Sequence, residues 1–279
     1  TQNLGAGNRA DADHTALAAL GATTWLALLT AVVVFFGADI LLALLNAPQP
    51  VLQLAVPFLQ ALALALALDA YNATMASVMR AHLRTRDTML NILAMHSLHL
   101  LLCFPLMQSM GLTGFAVAMA LSRVFGLLIH LLLWRWRLDL IPAARDWWTL
   151  HGKILAPALH IGLPGAAENI AYRIALLVSV AVVSGLGAAQ LATHSYTSQI
   201  MNLIVLFTAA IGFACEILVG HLIGAGKLHQ ANRLLRKCLF RGLGVSFCAA
   251  LLAAITAPWT LQLFTQDAHI IASATTLLW

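Results

Sequence analysis

The side chains in this sequence most able to do chemistry are carboxylates set inside long apolar runs. Glu168 stands four residues past Pro164, with Asn169 beside it and Tyr172 and Arg173 one helical turn further on. An ionisable group near the middle of a bilayer costs roughly 2.5–3.5 kcal/mol on insertion scales, so its presence argues for a role. Proline deletes one helical hydrogen bond and opens the helix locally, and the freed carbonyl could join the carboxylate in holding a cation. Glu168 and Tyr172 share a helix face at i,i+4. The alternative is a neutral, protonated Glu168 hydrogen-bonded to a neighbouring helix. Arg173 has two open readings. It is either an internal counter-ion that keeps a carboxylate ionised, or it faces away and pairs elsewhere.

Asp69 lies deep in another apolar run, next to Tyr71 and Asn72. It is a candidate ion or substrate contact, or else the structural partner of Arg123 in an intramembrane ion pair. Glu216 lies two turns before a Gly-Ala-Gly segment and is expected to act as an entry-side or gating group, whereas Asp39 reads as interfacial. His194 and Gln199, with Ser195, Thr197, Ser198 and Asn202, make a polar stretch that could line a cleft or bridge helices. His96 and His99 have an i,i+3 spacing that could suit a metal, but nothing on that run completes a site, so they read as packed histidines. There is no nucleophile elbow, no HExxH and no phosphate-binding loop ending in Lys-Ser/Thr. No cofactor, metal or disulfide is expected, because Cys103, Cys215, Cys238 and Cys248 show no paired spacing.

What must position these residues is a set of membrane helices. Apolar residues make up 61% of the 279, and charged ones only 9%, far from soluble proportions. About 20 apolar residues cross a hydrocarbon core, and seven runs do so: 15–45, 51–79, 88–109, 113–134, 155–184, 189–223 and 234–264. An eighth starts near Ile270. These runs lack the alternation of a barrel strand, which leaves α-helix as the way to satisfy the backbone in lipid. Thirteen of the fifteen Lys and Arg fall before the first run, between the second and third, between the fourth and fifth, or around the junction of the sixth and seventh. The alternate loops carry none, and Arg123 and Arg173 lie within runs. Cationic loops stay inside, so the chain is expected to start on the cytoplasmic face. The net charge of +5 is therefore topological and no nucleic-acid partner is expected. Trp147 and Trp148 read as interfacial anchors, and no signal peptide is visible at the start.

Shifting the sequence by 219 places Leu4-Gly5-Ala6-Gly7 on Ile223-Gly224-Ala225-Gly226, and the register continues without gaps to the outer turn, where Asn46-Ala47 meets Thr265-Gln266. A repeat of equal sidedness implies two halves related by an axis along the membrane normal, as in transporters that rock between two openings. The period predicts two spans before this chain and about three after it, giving twelve in two six-span lobes. The lobes are expected at 1–140 and 155–279, joined by a cytoplasmic connector at 141–154.

Five motifs taken together resemble the multidrug and toxin extrusion (MATE) family. They are Val219-Gly220-His221-Leu222-Ile223-Gly224-Ala225-Gly226, its partner Gln2-Asn3-Leu4-Gly5-Ala6-Gly7, the inner loop Met79 to Thr88, Gly111-Leu112-Thr113-Gly114 and Gly162-Leu163-Pro164 with Glu168-Asn169. The resemblance implies family helices 3 to 9 and the start of helix 10, in an all-α, two-lobe fold. It also implies antiport that exports amphipathic cationic compounds against Na⁺ or H⁺, by a monomer in the bacterial inner membrane. A lipid-precursor flippase of the same superfamily is the alternative, with an intramembrane enzyme or a passive channel more remote.

Overall fold

The computed structural model describes residues 1–44 and 49–278, all as helices and short connections with no strand among the described residues. The helices are α1 (Gln2–Gly5), α2 (Arg9–Leu44), α3 (Gln49–Ala81), α4 (Thr85–Met110), α5 (Leu112–Leu133), α6 (Gly152–Ser184), α7 (Ala188–Gly224), α8 (Leu228–Gln262) and α9 (Ala268–Leu278). Seven of the described helices are long and apolar enough to cross a membrane. Each covers all or nearly all of one expected span. Several cation-bearing ends run past the apolar runs, α8 by six residues, because a helix keeps its internal hydrogen bonds after it leaves the hydrocarbon. The outer turn at Asn46-Ala47 lies outside the described residues.

The chain forms two compact units. One is Gly7–Pro157. The other joins Thr1–Ala6 to Ala158–Trp279. The connector therefore groups with the first unit and α1 with the second, which differs from a simple division at 140 and 155.

In the unit Gly7–Pro157, α3 packs against α2 and α5, and α5 against α4. A cluster of Ala16, Leu20, Met75, Met79, Trp134 and Leu138 fills one end of these helices. At that end Arg9 donates to the Leu138 carbonyl, and Arg137 lies 3.5 Å from Asp87. The cation-bearing ends of α2, α4 and α5 thus meet on one side, as the distribution of Lys and Arg requires. The connector docks there through a 3₁₀ turn at Ala144–Trp147. Trp25 Nε1 donates to the Trp148 carbonyl at 2.9 Å, and Tyr71 meets Trp147 at 5.3 Å between ring centroids. Trp147 is thus half-buried against α3, while Trp148 stays exposed.

In the other unit α8 packs along α7, and α9 closes on both around Ile200, Ala257, Leu261 and Ala274. No residue of α6 is buried. The repeat is visible in the backbone. Arg9 and Leu228, which open α2 and α8, are one period apart, and so are Gly7 at φ 77° and Gly226 at φ 71°. Both glycines take the left-handed conformation that ends a helix and that other residues avoid.

Within this unit α1 crosses the end of α7 reciprocally. A Cβ on Gly5 would overlap backbone atoms of His221, and one on Gly224 would overlap those of Gln2. Exchanging each residue for its repeat mate turns the first contact into the second, the signature of a local two-fold relation. Only glycine allows backbones so close. Gly224→Ala should therefore destabilise the full-length protein by about 1–3 kcal/mol through overpacking, whereas Gly212→Ala, in open space, should be silent. Thermal unfolding in detergent compares the two.

Candidate functional site

Of the expected site residues, the structure brings Asp69, Asn72 and Arg123 together. Asp69 and Asn72 sit one turn apart on α3, and Arg123 reaches them from α5. Arg123 is buried, with its Nε 2.7 Å from Asp69 Oδ1, so of the two readings of Asp69 the ion pair is the one formed. The contact is ionic by distance without hydrogen-bond alignment, and Arg123 Nε and Nη1 have no hydrogen-bond acceptor among the described residues. Asp69 keeps about 40% of its side chain exposed, so one edge of the pair remains open. His96, exposed on α4, lies within electrostatic reach of the pair, while His99 turns its ring edge-on to Phe115 at 5.0 Å. No group of metal-binding side chains forms among the described residues.

Below this pair lies a polar junction of three helices. Asn72 Nδ2 donates to the carbonyls of Leu68 and Arg123, at 3.2 and 2.9 Å. Asn91 Nδ2 on α4 donates to the Gly126 carbonyl at 3.0 Å. His130 Nδ1 on α5 lies 2.9 Å from Asn91 Nδ2 and 3.0 Å from Asn72 Oδ1. All three side chains are buried. Polar groups are held this way in lipid because an unsatisfied one there is costly.

Asn91 and His130 are not among the residues that sequence reasoning selects. A signal was present in α5 and the π-helical turn that follows it at Trp134–Leu138, where Gly114, Ala118, Ser122, Gly126, His130 and Trp134 recur every fourth residue and are all buried. That stripe of small residues admits close neighbours. A Cβ on Gly126 would come within 2.6 Å of Met95 Sδ and 3.0 Å of Asn72 Oδ1.

The remaining candidates lie on α6 and α7. Glu168, Asn169, Tyr172 and Arg173 are exposed on α6, and no ion pair of Glu168 or Arg173 occurs among the described residues. The helix runs through Pro164 without interruption, so the expected local opening is absent. A proline removes a single hydrogen bond, and the bonds on either side carry the helix past it. Asn169 spends its amide on the Gly165 carbonyl at 2.9 Å. On α7, Glu216 lines a groove of about 380 Å³ against α8, together with Cys215 and Cys238. Gln199 lines a second groove of about 330 Å³, and His194 is half-buried. The hydroxyls of Thr193 and Thr197 bond their own helix at Ala189 and Thr193, so that part of the polar stretch is internally satisfied.

Repeated apolar helices with a charged pair and a polar junction held inside define a multi-pass α-helical membrane protein. Residues 1–105 and 164–278 match the MatE family model, and the chain belongs to that family. Among its relatives is YisQ, an uncharacterized transporter of Bacillus subtilis, 28% identical over 287 residues, which cover 100% of this chain and 62% of the relative. NorM, a multidrug resistance protein of Photobacterium profundum, is 27% identical over 176 residues, covering 63% of this chain and 38% of the relative. An outward-facing MATE transporter of the MOP superfamily superposes with a TM-score of 0.88 at 20% identity, over 99% of this chain and 63% of that structure. A MOP superfamily transporter from Pyrococcus furiosus gives 0.86 at 20% identity, over 99% and 62%. The chain thus spans less than two thirds of the length of these relatives.

Removing one member of the Asp69–Arg123 pair strands the other. Asp69→Leu should cost about 1–3 kcal/mol, the penalty for a buried donor left without its partner. The double variant Asp69→Leu/Arg123→Leu should recover most of that loss, and a thermal-unfolding double-mutant cycle measures the coupling.

Proposed function

We propose that the full-length protein is a secondary antiporter of the bacterial cytoplasmic membrane that exports amphipathic, cationic organic compounds in exchange for Na⁺ or H⁺. The observation that carries this reading is Glu168, a carboxylate within an apolar span that has no ion pair among the described residues, on a helix with no buried residue. Such a group is free to take an incoming cation or a cationic substrate in turn, the exchange that antiport requires. Two relatives bearing the names NorM and MdtK are described as multidrug resistance proteins, which supports drug-like substrates. A flippase for lipid-linked anionic precursors calls for a cationic cleft. Pairing of Arg123 with Asp69 leaves Arg173 as the unpaired Lys or Arg of the two expected within spans, and this favours antiport.

Glu168→Gln removes the charge and keeps the shape. In proteoliposomes of the full-length protein, with Na⁺ and pH gradients imposed separately, it should abolish gradient-driven drug transport without loss of expression. The expected fall is about 5- to 150-fold, the usual size of coupling between two ligands. Wild-type transport by this variant would sink the assignment of Glu168. The ion whose gradient drives the wild type identifies the coupling cation.

A further inference from the structure

The junction of Asn72, Asn91 and His130 contains a conflict that one proton resolves. Both asparagine amides have fixed orientations, because each Nδ2 donates to a backbone carbonyl: Leu68 and Arg123 for Asn72, Gly126 for Asn91. Asn72 therefore offers His130 an acceptor oxygen, while Asn91 offers it a donor N–H. Both reach the same ring atom, Nδ1, at 3.0 and 2.9 Å. A nitrogen in an imidazole ring either carries a hydrogen or a lone pair. With a hydrogen on Nδ1 it donates to Asn72 and opposes the N–H of Asn91. Without one it accepts from Asn91 and opposes the oxygen of Asn72. His130 Nε2 is buried with no hydrogen-bond partner among the described residues, so the ring's hydrogen bonds are decided at Nδ1.

We propose that His130 is a proton-binding residue of the full-length protein, and that the proton on Nδ1 decides whether its ring bonds Asn72 on α3 or Asn91 on α4, while the asparagine bonds to the α5 carbonyls persist in both states. The inference deepens the antiport reading and rests on it for its role in transport. On α3, Arg80 acts on the ring through space, and Asp69 is committed to Arg123 of α5. On α4, Asp87 is paired with Arg137, while His96 and His99 lie by the Asp69–Arg123 pair. No carboxylate holds His130 permanently protonated among the described residues. Gain or loss of the Nδ1 proton therefore resets which asparagine the ring bonds, a discrete local change that two conformations of a lobe can follow.

The test is ¹⁵N NMR of the full-length protein with labelled histidine in nanodiscs, the His130 signals being assigned by their loss in His130→Gln. Across a pH titration of the folded protein, Nδ1 should pass between protonated and bare forms. Asn91→Leu should raise the Nδ1-protonated fraction about fivefold at fixed pH and Asn72→Leu should lower it by a similar factor, the effect of one hydrogen bond. A ring that stays in one form throughout, or the same direction of change in both variants, would overturn the proposal. In proteoliposomes His130→Gln should lose pH-driven drug transport at wild-type protein levels, and unchanged pH-driven transport would overturn its role in coupling. If the wild type shows no ion-driven transport, the antiport reading fails, and the NMR result alone decides whether His130 binds the proton.

Discussion

Hydrocarbon provides no hydrogen-bond partner, and every feature of this chain follows from that constraint. Backbone groups must be satisfied within each segment, which makes the apolar runs into helices before any of them meets a neighbour. Association of the helices then cannot draw on the hydrophobic effect as a soluble core does, since lipid tails are as apolar as leucine. Large side chains such as Phe36, Leu100 and Phe104 accordingly face outward, and small ones form the contacts. In α5 and the turn that follows it the buried series from Gly114 to Trp134 brings α3 and α4 near enough for asparagine, histidine and arginine to meet. At its outer end a Cβ on Gly114 would run into the backbone at Leu106 and Met107 of α4.

Close approach and polar bonding are thus one solution. The Asp69–Arg123 pair cancels charge in the unit Gly7–Pro157, and the amide junction beside it satisfies carbonyls of Leu68, Arg123 and Gly126. These bonds fix α3, α4 and α5 relative to each other. The helix with the most conspicuous sequence motif, α6, has no buried residue and presents Glu168 and Arg173 openly. One unit thus holds its intramembrane charge in an internal pair, while α6 carries ionisable groups with no ion pair among the described residues.

The repeat shows how one local pattern serves two settings. Gly-Ala-Gly ends a helix with the same left-handed glycine in both copies, at Gly7 and Gly226, because that turn depends on neighbouring residues alone. What the following helices meet differs. α2 packs on α3 and receives the connector, whereas α8 packs on α7 and α9. The same backbone period therefore carries different chemistry in each unit.

Helix type, the number and limits of the spans and the 219-residue period were all legible in the sequence, since each is a property summed along a single segment or repeated at fixed spacing. The gathering of cationic ends on one side was legible for the same reason. The partner of Asp69 was not decided there. Asp69 and Arg123 belong to different helices, and only the packing of α3 on α5 chose the ion pair over an open ligand site. His130 and Asn91 escaped notice because a lone histidine and a lone asparagine in apolar runs carry no pattern of their own. Their meaning arises when three helices place them within about 3 Å of one ring nitrogen. Hydropathy is additive along a chain and survives small errors in position, while a hydrogen bond is lost within a fraction of an ångström, and so it belongs to the tertiary structure.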